Sequence, residues 1–164
     1  MKKTLYLLGF SIALLFSINA YTGKVYEPRT GSKAPELRIP SSDSTELKLS
    51  DYRGRYVLLS FWSSSDASSR ICVKDYEQSL SSVEEGKLKI VSMNFDRSAT
   101  LFREIVRIDN MNEETQYHVE DSEASDIIRA FDLSDGFKSF LIDREGRIVA
   151  VNPSITAINE LLFV

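Results

Sequence analysis

The sequence predicts one α/β domain, a central mixed β-sheet with helices on both faces. Three observations lead there. Residues 56–62 (Tyr-Val-Leu-Leu-Ser-Phe-Trp) are a nearly continuous apolar run, the pattern of a strand buried on both faces, and residues 87–95 (Lys-Leu-Lys-Ile-Val-Ser-Met-Asn-Phe) read as a second buried strand. Between them, Ser69, Val73, Tyr76, Leu80 and Val83 recur at helical spacing. Near the carboxyl end, segments 139–143 and 147–151 flank Arg144-Glu145-Gly146, a tight hairpin with glycine at the left-handed position.

The remaining elements follow from the same patterns. Leu37, Ile39, Leu47 and Leu49 alternate with polar residues on either side of residues 41–44, which predicts a hairpin of short strands ending before Gly54. The first helix is expected over residues 67–83, capped by Asp66 or Ser65. Leu101, Phe102, Ile105 and Val106 mark a second helix, and Ala124, Ile127, Ile128 and Phe131 a third. Ile155, Ile158, Leu161 and Leu162 mark the last. Ligand sites in such folds lie at the carboxyl ends of the strands, here residues 62–70.

Counts exclude several functions. The chain has 164 residues, 43% hydrophobic and 27% charged, an ordinary globular composition. A net charge of −4 disfavours a general nucleic-acid binder, which needs a basic face. One cysteine, Cys72, excludes an internal disulfide and a multi-cysteine metal site, and one histidine excludes a His-rich centre. No metal and no cofactor are expected.

The N-terminus reads as a targeting segment. Lys2 and Lys3 precede an apolar run from Leu5 to Phe16, followed by Ser17, Asn19 and Ala20. This is the layout of a secretory signal peptide over residues 1–20, cut after Ala20 with Ile18 at −3. The rival reading is an uncleaved anchor over residues 5–20, for which the run is short. Residues 21–33, with Pro28 and Gly31, read as a linker, and the domain is expected over residues 34–164. The protein is therefore expected to be exported to the periplasm or cell envelope, touching membrane only if that segment stays attached.

Three segments together carry a resemblance. Gly31-Ser-Lys-Ala-Pro-Glu-Leu37, Leu49-Ser-Asp-Tyr-Arg-Gly-Arg-Tyr-Val-Leu-Leu-Ser-Phe-Trp62 and Phe140-Leu-Ile-Asp-Arg-Glu-Gly-Arg-Ile-Val149 resemble, in order, the thioredoxin-like family of periplasmic thiol–disulfide interchange proteins, relatives of the peroxiredoxins. The resemblance implies a thioredoxin fold with an N-terminal β-hairpin extension. It also implies a Cys-x-x-Cys at the start of the first helix, where the helix terminus stabilises a thiolate and the second sulfur resolves the mixed disulfide. The matching positions here are Asp66 and Ser69, with Arg70 at the basic position that often follows. The family's cis-proline matches Phe137, and no proline lies between Pro40 and Pro153. Dithiol chemistry is therefore expected to be lost.

Each candidate residue carries two readings. Cys72 lies six residues after Asp66, beyond most of the helix-terminal field. It reads as a half-buried structural thiol, or alternatively as a monothiol forming mixed disulfides. Asp66 reads as a helix cap before a catalytic carboxylate. Ser64, Ser65, Ser68 and Ser69 would need a base, and His118 is distant in sequence and reads as a strand or loop residue. Glu113, Glu114, Glu120, Asp121 and Glu123 read as a solvated loop and a helix start. Beside Tyr52, Trp62 and Phe137 stand out: by the resemblance they lie together at the surface of the family's active site, or else Trp62 packs into the core and Phe137 fills the space left by proline. A partner surface is expected from Trp62, Ser65, Asp66, Phe137 and Lys138, facing an envelope protein or peptide.

Overall fold

A computed structural model describes residues 28–39 and 47–163. The signal peptide with its cut, the alternative anchor, residues 21–27 of the linker and the turn at 41–44 lie outside the described residues. Strands β1 (Arg38–Ile39) and β2 (Leu47–Lys48) pair antiparallel as the expected hairpin. Leu49 is not part of it, but begins a 3-10 turn over Leu49–Tyr52. Then come β3 (Tyr56–Trp62), α1 (Ala67–Leu80), β4 (Leu88–Asn94), α2 (Ala99–Ile108), β5 (Gln116–His118), α3 (Asp121–Ala130), β6 (Ser139–Ile142), β7 (Ile148–Val151) and α4 (Ile155–Leu162).

The main sheet has the order β5-β4-β3-β6-β7. β3, β4 and β5 run parallel, and β6 and β7 run antiparallel to their neighbours. The parallel steps need helical crossovers, which α1 and α2 supply. β3 is buried along almost its whole length, as its unbroken apolar run predicts. Leu58 faces one side with Tyr76 and Leu80 of α1, Leu141, and Ile158 and Leu162 of α4. Leu59 and Phe61 face the other with Phe131, Phe140, Val91 and Met93. The rings of Phe61, Phe131 and Phe140 meet there at centroid distances of 4.9–6.1 Å.

Beyond Leu49, the structure departs from the expectation at three further places. α1 stops at Leu80, because the chain turns at Ser81 and Val83 N–H bonds the Leu80 carbonyl. Val83 still packs on the same apolar cluster, so its spacing suggested helix where the backbone has left it. β5 is a strand the pattern did not announce. It is three residues long and begins at Gln116, a polar residue buried because its amide is bonded at both ends. The end of the supposed linker is tied to the domain: Gly31 N–H bonds the Ile148 carbonyl at 2.7 Å, and Ile148 N–H bonds the Ser32 carbonyl at 2.8 Å. This covers part of the outer edge of β7.

The β6–β7 hairpin turns at Gly146, whose φ is +80°. A β-carbon there would collide with the Arg53 guanidinium. Gly146→Ala is expected to destabilise the fold by about 1–2 kcal/mol, the cost of a left-handed alanine, read from urea denaturation.

Candidate functional site

The carboxyl end of β3 delivers the chain to the start of α1, and a polar network fixes the turn between them. Its centre is Asp96, buried just beyond β4. Asp96 Oδ1 accepts from Ser63 Oγ at 2.8 Å, Ser64 N–H at 2.9 Å and Ser64 Oγ at 3.0 Å. Its Oδ2 accepts from Asn94 Nδ2 at 3.0 Å. Burial alone would raise the Asp96 pKa, but these hydrogen bonds outweigh it and hold the carboxyl below its ordinary range. The network escaped sequence reading because it joins residues about thirty apart. A signal was present in the polar residues closing two apolar strands.

Asp66 caps α1 as expected. Its backbone is extended, and its Oδ1 accepts from Ser69 N–H at 2.7 Å. Ser69 Oγ turns back to the Asp66 carbonyl at 3.2 Å. The carboxylate thus sits on the free N–H groups that a helix start offers to an anion. Ser65 is exposed, and its hydroxyl lies 3.0 Å from that of Ser63. His118 Nε2 lies 2.7 Å from the Asp96 backbone carbonyl, so the ring nitrogen is engaged there and not with a serine hydroxyl. Arg70 forks onto Asp109, Nε to Oδ2 at 2.5 Å and Nη2 to Oδ1 at 2.8 Å.

Trp62 is withdrawn from the expected partner surface, and its core reading holds. Trp62 is fully buried, packed on Val73, Val106 and Met111, and its Nε1–H donates to Gln116 Oε1 at 3.0 Å. Gln116 Nε2 in turn donates to Glu77 at 2.7 Å. Tyr52 is buried before the first residue of β3, at the opposite end of that strand from Trp62. Alternation along β3 explains Trp62: successive side chains take opposite faces, so Phe61, not Trp62, shares a surface with Phe137.

Phe137 is half-buried and packs on Phe95 with ring centroids 5.5 Å apart and planes tilted by 44°. Gly136 before it has φ +129°, and no peptide bond among the described residues is cis. Lys138 is half-buried and bonds Asp132 Oδ2 at 2.8 Å. Its carbonyl accepts from Phe61 N–H at 3.1 Å, extending the β3–β6 pairing.

Between α1 and this loop opens a pocket of 320 Å³. α1 contributes Ser68, Ser69, Cys72 and Tyr76; Phe61, Phe137 and Pro153 supply apolar walls. Cys72 is half-buried and unbridged, packed on the α1–α4 cluster. Tyr76 donates its hydroxyl to the Pro153 carbonyl at 2.6 Å. Burial first, and the neighbouring Cys72 second, push the Tyr76 pKa far above its ordinary value. Among the described residues no group of acids, histidines and cysteines is arranged to hold a metal ion, and no helix is long and apolar enough to cross a membrane.

The AhpC/TSA family model matches residues 30–151, most of the chain. This chain belongs to the AhpC/TSA family. A thioredoxin-like protein from Parabacteroides distasonis is 30% identical with a TM-score of 0.71, covering 86% of this chain and 100% of its own. The thioredoxin domain of a thiol-disulfide oxidoreductase from Bacteroides vulgatus, 20% identical with a TM-score of 0.73, covers 82% and 98%. A thiol:disulfide interchange protein from a Bacteroides species, also 20% identical, has a TM-score of 0.72 and covers 82% and 90%. The curated proteins contain no match. The fold of this AhpC/TSA member is therefore thioredoxin-like, as the resemblance implied.

Two measurements test how the site is held. Asp66→Ala should cost about 1 kcal/mol through the lost cap, and Asp66→Asn much less, by chemical denaturation. Asp96 has a depressed pKa when folded, so its contribution is present above the unfolded value near 4 and is lost as pH falls through the lower folded value. Asp96→Asn should accordingly lower stability at neutral pH by about 1–3 kcal/mol. It should also flatten the loss of stability below about pH 4, followed by urea midpoints across that range.

Proposed function

We propose that this chain is an exported, redox-inactive thioredoxin-like module that binds a protein or peptide partner in the cell envelope. The observation that carries the reading is the Asp66 carboxylate, fixed 2.7 Å from Ser69 N–H at the start of α1. In the family the resemblance identifies, a thiolate occupies that position and attacks a disulfide. A carboxylate cannot form a disulfide, and Ser69 provides no resolving sulfur. Phe137 stands where the resemblance places the cis-proline. Loss of the sulfurs together with that proline supports abandonment of the exchange reaction and retention of the surface.

The chain keeps what docking requires. Phe137 is partly exposed and lines the 320 Å³ pocket together with Lys138 and with Ser68 and Ser69 of α1. The scaffold beneath is rigid: the turn before α1 is held by the Asp96 hydrogen bonds and the Phe137 loop by Phe95 and Asp132.

One observation favours a second reading, a monothiol exchanger. Cys72 lines the same pocket. Against it stands distance: Cys72 lies about 8 Å along α1 from Ala67, at 1.5 Å per residue, and the helix-terminal field acts within the first turn.

Acid-quenched protein taken from cells and read by intact mass separates the two. A free Cys72 thiol is expected, together with a mass lacking residues 1–20. A mixed disulfide on Cys72, with disulfide-exchange activity abolished by Cys72→Ser, would replace the first reading with the second.

A further inference from the structure

We infer that the pocket between α1 and the Phe137 loop receives one uncharged aromatic side chain of the partner segment. This rests on the docking reading above and adds the kind of residue that anchors the partner. Volume sets the scale. At 320 Å³ the pocket lies at the small end of ligand sites, which run from about 300 to 1,000 Å³. It suits a single inserted side chain. The lining sets the charge. Among the described residues, Lys138 alone of the lining carries a charge, and its ammonium is held 2.8 Å from Asp132 Oδ2. A charged side chain entering there would lose water and meet no free opposite charge.

Several polar groups of the wall are already engaged within the fold. Tyr76 donates to the Pro153 carbonyl at 2.6 Å, and Ser69 Oγ to the Asp66 carbonyl at 3.2 Å. Asn152 Oδ1 accepts from Ser139 N–H at 2.8 Å. What the pocket offers an occupant is chiefly ring and hydrocarbon surface. A row of rings leads from the core to it. Phe140 meets Phe61 at 6.1 Å, Phe61 meets Phe95 edge-on at 5.9 Å, and Phe95 meets Phe137 at 5.5 Å. Phe61 and Phe137 both line the pocket. Phe137 is half-buried and ends the row: among the described residues Phe95 is its one ring neighbour. An incoming ring would continue the tilted and edge-to-face contacts that the row already makes. Cys72, on the α1 side of the lining, adds a polarisable sulfur that suits an aromatic neighbour.

The test follows amide chemical shifts of the isotope-labelled full chain during titration with three blocked nonapeptides. These are built of glycine and serine and differ only at the central residue, which is phenylalanine, leucine or lysine. The phenylalanine peptide should move the amides of Ser69, Cys72 and Ser139. It should bind about twofold to tenfold more tightly than the leucine peptide, which is what a ring pair adds beyond its buried area. The lysine peptide should bind about tenfold or more weakly than the phenylalanine peptide. Phe137→Leu keeps apolar bulk and removes the ring, so the preference for phenylalanine over leucine should vanish in that variant. Equal binding of the phenylalanine and leucine peptides would overturn the aromatic inference and leave the docking reading standing. A phenylalanine preference unchanged in Phe137→Leu, or shifts confined to amides away from the pocket, would overturn it in the same way. Peptides that leave every amide unmoved would overturn both readings.

Discussion

The whole arrangement hangs on one strand buried on both faces. β3 pairs with β4 on one side and β6 on the other, and its side chains alternate between the cluster under α1 and α4 and the cluster under α3. Each large apolar side chain so buried contributes about 1.5–3 kcal/mol. A shift of one residue in its register would exchange Leu58 with Leu59 and Phe61 with Trp62 between two differently shaped cores. Because the register is fixed, the carboxyl end of β3 is fixed, and so is the point at which α1 begins. The site inherits its position from the core.

At that point the chain solves an electrostatic problem internally. A helix start presents unpaired N–H groups and a partial positive charge. A redox-active thioredoxin-like site uses that charge to stabilise a reactive sulfur. Here a built-in carboxylate absorbs it, and a second carboxylate, Asp96, gathers the serine-rich turn in front. The start of α1 is thus occupied by a carboxylate of the chain itself. Phe137 extends the aromatic packing outward through Phe95.

The candidate site was legible in part. Asp66 could be read as a cap because capping depends on residues adjacent in sequence, and Cys72 as half-buried because the apolar stripe beside it is local. Trp62 was left open between core and surface, since an aromatic residue at a strand end is equally consistent with both. Its partner Gln116 lies on another strand, so nothing near Trp62 in the chain reveals the hydrogen bond that makes its burial possible. Asp96 went unremarked for the same reason: a single acid after a strand acquires meaning only when residues 63 and 64 are folded against it.

The sequence by itself determined the α/β class, the order of the main elements, the hairpin at Gly146 and the absence of a dithiol. These rest on periodicity, on backbone preferences of single residues and on residue identity, all local properties. Only the tertiary structure decided which face Trp62 and Phe61 take, that Gln116 and Asp96 are buried and satisfied, that residues 31–34 close an edge of the sheet, and that Arg70 and Lys138 are neutralised by Asp109 and Asp132. Those features depend on pairs of groups brought together across the fold, where burial makes an unpartnered polar group costly and so selects the partner.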